Sequence, residues 1–107
     1  MHILNVLKRQ IVDSIDNNLV VFEAVEPMHL PDYVSIDEIK AIENGQLVCF
    51  TPHISVMVGD EVSVIFQAEV EVTSSFKYFM SQPEFSELVE QAIIQHQITH
   101  GDHYATN

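Results

Sequence analysis

The chain has 107 residues, with sixteen carboxylates against four Lys and Arg and a formal net charge of −12 at neutral pH. Such a surface repels phosphate backbones and anionic lipid, which excludes nucleic acid and membranes as direct partners. An apolar fraction of 47 %, with three Gly and four Pro, excludes disorder, and a mass of 12.2 kDa supports one core on a folded surface of roughly 6,000 Å², so one domain over 1–107 is expected.

Ile3, Leu4, Leu7, Ile11 and Ile15 recur at three- and four-residue intervals, which predicts a helix over 3–16, although the β-branched content runs against it. Lys8 and Arg9 break this first apolar stretch, and no uncharged run is long enough to span a bilayer, so a soluble, cytoplasmic chain is expected. Asp16, Asn17 and Asn18 supply a turn, and Leu19 to Val25 reads as a strand ended by Glu26 and Pro27. Met28, His29 and Leu30 then sit in a proline-bounded loop. Ser35 and Glu38 form a capping-box pattern ahead of Ile36, Ile39 and Ile42, and Gly45 is a natural stop, which predicts a helix over 36–44.

Gln46 to Val58 is strand-like and contains the only cysteine, Cys49, which has no intramolecular disulfide partner and reads as a buried thiol. Glu61 to Thr73 alternates, with Val62, Val64, Phe66, Ala68, Val70 and Val72 on one face and Glu61, Ser63, Gln67, Glu69 and Glu71 mostly on the other. Matching apolar faces requires Val58 opposite Val62, Val56 opposite Val64 and Ile54 opposite Phe66. Because faces alternate with period two, this predicts a three- or five-residue loop around Gly59 and Asp60. Pro52 cannot donate to a ladder, which places its strand at an edge or beside a bulge.

Phe76 to Met80 extends the last strand in this reading, Ser81 and Glu84 repeat the capping signature, and Phe85, Leu88, Val89, Ala92 and His96 share a helical face up to Gly101. The expected fold class is α+β: a small antiparallel sheet whose central hairpin (about 46–58 and 61–73) packs against N- and C-terminal helices.

Chemistry-bearing patterns are sparse. His96, His100 and His103, with Asp102, have a spacing that could share a cation across a helix end. The reading is nevertheless of no metal site, because His96 lies on the apolar face and Gly101 is expected to end the helix before His103. Glu69 and Glu71 are both expected on a solvated strand face, without the contrasting environments that acid–base catalysis needs. With no phosphate loop and no recognisable nucleophile setting, neither a cofactor nor an enzyme is expected. An alternative is a DNA-mimic inhibitor of a nucleic-acid-binding protein, which requires the acid gathered on one face: spread evenly, sixteen carboxylates over roughly 6,000 Å² fall severalfold short of the roughly one charge per 110 Å² of a duplex.

Glu69-Val70, followed after five residues by Phe76-Lys77-Tyr78, resembles a strand of the export chaperone SecB and its relatives, and Val21-Phe22-Glu23-Ala24 is similar to their first-strand Ser-Phe-Glu-Ala. The resemblance covers under half the chain and lacks the family's Phe-Pro-Tyr-x-Arg stretch. It implies an acidic cytosolic oligomer that holds unfolded polypeptide in apolar grooves.

The reading of the residues themselves is a non-catalytic acidic module, an inhibitor, immunity-type factor or adaptor, binding a protein with a basic site. Lys8, Arg9, Lys40 and Lys77 are the only basic residues, so the last thirty positions have none. The candidate binding residues are Glu61, Glu69 and Glu71 on the strand face and Glu84, Glu87 and Glu90 on the last helix. Leu47, Cys49, Met57 and Ile65 fall opposite the main apolar stripe, and with Pro52 at an edge they predict a homodimer.

Overall fold

The computed structural model describes the backbone of residues 5–105 and the side chains of 5–99. Five strands form an antiparallel sheet: β1 (Val6–Ile15), β2 (Asn18–Val25), β3 (Val48–Val58) and β4 (Glu61–Gln67) in that spatial order, with β5 (Glu71–Thr73) also on β3. Helix α1 (Ile36–Glu43) joins β2 to β3, and α2 (Phe76–Met80) and α3 (Pro83–Ala105) follow the sheet. The α+β class and the central hairpin are as expected.

The N-terminal segment is strand, not helix, over the described part of 3–16. Bulges at Leu7 and Val12 explain the misleading periodicity. Each extra residue changes a two-residue spacing into three: Ile11 and Ser14 share the outer face, while Val12 and Ile15 pack on the inner core. Asp16 and Asn17, at φ 50° and 67°, make the tight turn into β2, a conformation that Asn and Asp tolerate better than other L residues.

A similar device settles the central hairpin. The connection is two residues, not three or five, with Val58 opposite Glu61, yet Val56 faces Val64 and Ile54 faces Phe66 as the apolar pattern requires. Ser63 is the inserted residue that reconciles these pairings, and Val62 consequently lies opposite Met57 on the outer face.

Strand β3 is central rather than an edge. It carries Pro52 where its second neighbour is interrupted: β4 ends at Gln67, opposite His53, and β5 resumes at Glu71, opposite Phe50. Across the gap the Ala68 amide donates to the Pro52 carbonyl at 3.0 Å.

Helix α1 has the predicted capping box, with the Glu38 amide donating to Ser35 Oγ at 3.1 Å and the Ser35 amide to Glu38 Oε1 at 3.0 Å. Gly45, at φ 76°, closes it with bonds to Ile42 and from Gln46 to Ala41. Phe76 to Met80 is helix, not a strand extension, with the Tyr78 amide donating to Ser75 Oγ. Ser81 caps the end of α2 instead of starting α3, which begins at Pro83, where a missing amide hydrogen costs nothing. Nor does Gly101 end α3, which continues to Ala105.

These helices close the core from one side. Phe22, Phe50, Phe76, Phe79 and Phe85 form a continuous aromatic cluster with ring centroids 5.0–6.2 Å apart, mostly edge to face, and such contacts add about 0.5–1.5 kcal/mol each beyond burial. Phe79→Ala should therefore destabilise the domain by about 3–5 kcal/mol in urea unfolding. Deleting Ser63 should remove the bulge while keeping Ile54 opposite Phe66, which cross-strand nuclear Overhauser contacts would report.

Candidate protein-binding groove

The interruption of the sheet positions the most distinctive surface of the molecule. Because Glu71 pairs with Phe50, and opposite residues share a face, its side chain belongs to the helix-covered side. Glu69 sits in the connection between β4 and β5. From α3, Glu84, Glu87, Leu88 and Gln91 follow the i, i+3, i+4, i+7 spacing of one helical face. Together with Ala68, Glu69, Glu71 and Glu90 they line an open groove of 590 Å³.

Five of the six candidate carboxylates thus border one groove. Glu61 does not: it is exposed at the hairpin turn, opposite Val58. The common wet strand face expected for Glu61, Glu69 and Glu71 does not form, because the Ser63 bulge and the gap at 68–70 each change which way the following residues face.

Crowding leaves a chemical signature. Burial pushes the Glu71 carboxyl above its ordinary value of 4.5, and the charges of Glu84 and then Glu69 push it further in the same direction. Tyr33, whose hydroxyl donates to the Val70 carbonyl at 2.9 Å, is raised by local desolvation and then by Glu69, Glu71 and Cys49. Among the described residues the one ion pair of Lys or Arg with a carboxylate is Arg9–Glu23, at 3.9 Å on the opposite sheet face. Among the described residues no Lys or Arg pairs with a carboxylate of the groove.

His96 is 6 % exposed and lies 2.7 Å through Nδ1 from Ser63 Oγ. Ser63 follows the outward-facing Val62 and points to the helix side of the sheet, so this contact fastens α3 to β4. These residues are 33 positions apart and meet only when α3 packs on the sheet, so the sequence carries no local signal for the pair. The side chains of His100 and His103 lie outside the described residues. Among those described, no group of three His, Cys, Asp or Glu is placed to hold a metal.

A second groove, of 390 Å³, runs between β1 and α3 and is lined by Val12, Asp13, Met80, Phe85, Ser86, Val89, Glu90 and Ile93. A third, of 350 Å³, lies under the loop after β2, where Met28 and His29 meet Thr51, His53 and Val70. Burial lowers the His53 pKa, partly offset by Glu23.

Among the described residues no helix is long and apolar enough to cross a membrane. Compared with protein-family models, curated proteins and solved structures, the chain matches none.

Glu71 binds its proton more tightly folded than unfolded, so its contribution to stability falls as pH rises from 4.5 through the higher folded value. Glu71→Gln should stabilise the domain at about pH 7 and lose that advantage below about pH 4. Urea midpoints at the two pH values check this; an equal difference at both would contradict it.

Proposed function

We propose that this chain is a non-catalytic, cytoplasmic protein-binding module of the inhibitor, immunity-factor or adaptor kind, which receives a basic segment of a protein partner in the groove between α3 and the β4–β5 connection. The observation that carries this reading is the convergence of Glu69, Glu71, Glu84, Glu87 and Glu90 around an apolar lining of Ala68 and Leu88, with Glu71 held against its neighbours' repulsion. A Lys or Arg side chain placed there relieves that repulsion. Binding then lowers the Glu71 pKa and releases protons near the upper end of its titration.

Magnitudes divide the labour between charge and apolar contact. An exposed ion pair contributes about 0.2–1 kcal/mol, so four supply about 1–4 kcal/mol against the roughly 8 kcal/mol of a micromolar complex. Charge therefore sets encounter rate and partner choice, and contacts with Leu88, Ala68 and the surrounding rim set the lifetime. The concave form of the surface suits an inserted basic side chain better than it suits imitation of a duplex's convex phosphate ridges.

The groove between β1 and α3 favours a second reading, a holder of unfolded polypeptide as the SecB resemblance implies. Val12, Met80, Phe85, Val89 and Ile93 offer an apolar strip there. However, Phe76-Lys77-Tyr78, strand-forming in that resemblance, is helical in this chain.

Capture of native partners from the host lysate at low and high salt separates the readings. A groove-bound partner should be lost at high salt and after Glu84→Lys with Glu87→Lys or Glu69→Lys with Glu71→Lys, with association slowed at least about tenfold. Glu61→Lys, away from the groove, should change little. Many unfolded clients, retained by the groove variants and lost with Val89→Glu, would support the chaperone reading instead.

A further inference from the structure

The face of the sheet turned away from α3 carries the opposite chemistry from the groove. Register places Ile11, Val21, Ser55 and Ile65 in one row across β1, β2, β3 and β4, with Ser14, Leu19, Met57 and Val62 beside it. At the ends of the first row Ile11 and Ile65 are 55 % and 57 % exposed, and Leu19 and Val62 are also open, whereas Val21 and Ser55 between them are already buried within the chain. The next row holds Arg9, Glu23, His53 and Gln67, and its carboxylate is the one paired with Arg9.

We propose that this outer sheet face is the interface of a two-fold homodimer, with the sheets of the two copies packed face to face. Charge selects the occupant. In a chain of net charge −12, two full rows across four strands contain no acid, which is what apposition of two equally acidic copies requires; a basic partner would find no counter-charge in them. Packed sheets lie about 10 Å apart and interdigitate the side chains of their facing surfaces. The contact is independent of the acidic groove, which belongs to the other side, and of the sheet edge at Pro52 that the sequence suggested.

The sign of the salt effect distinguishes this interface from the groove. Association of two acidic copies is opposed by long-range repulsion, so added salt should strengthen the dimer, whereas it weakens capture of a basic segment. Sedimentation equilibrium of the full chain at about 50 mM and about 500 mM NaCl should show a dimer that tightens with salt. Ile11→Lys with Ile65→Lys should weaken it at least about a hundredfold, because each copy loses two apolar contacts. Both positions are on the surface, so circular dichroism should remain native; if that pair disturbs the fold, Leu19→Ser with Ile65→Thr replaces it. A monomer at both salt concentrations, or a dimer undiminished in the folded variants, overturns the proposal.

Discussion

The arrangement of helices on the sheet hangs on the phenylalanine cluster at the junction of β2, β3, α2 and α3. Phe22 and Phe50 come from neighbouring central strands, Phe76 and Phe79 from the short helix, and Phe85 from the first turn of the long one. Because Phe85 is anchored there, Glu84 and Glu87 are carried to the sheet's interruption, where Glu71 waits opposite Phe50. The acidic groove is a by-product of where an aromatic core fastens a helix. Its other fastening, Ser63 to His96, fixes the direction in which that helix leaves.

The two sides of the sheet divide the chain's chemistry. The helix side gathers uncompensated carboxylates around apolar lining, and the outer side excludes them from two consecutive rows. Net charge alone conveys neither fact. A value of −12 describes long-range behaviour, whereas partner choice depends on which carboxylates are brought within a few ångströms of each other and which surfaces are kept free of them.

What could be read from the residues followed from local rules. The capping box and glycine stop of α1 are short-range, and both are present as written. The apolar face of α3 is likewise visible in its spacing, including the buried position of His96. Bulges defeated the longer inferences. In β1 they imitate a helical period, and in β4 one restores the register that a two-residue turn would otherwise break. A bulge is a relation between two strands, so one strand's residues cannot announce it. The same holds for the site: the acid content near the C-terminus was legible, but the inward placement of Glu71 depends on β3 exchanging one neighbour for another beside Pro52.

Strands β1 to β4 are consecutive in sequence and adjacent in space, and their cover comes afterward. During synthesis the meander can form as its strands appear, each pairing with the one just made, because local pairings close quickly. Its inner apolar face then has no lid until Phe85 and the residues after it have left the ribosome. Apolar surface left uncovered in this way favours aggregation, and like charge on neighbouring chains opposes it.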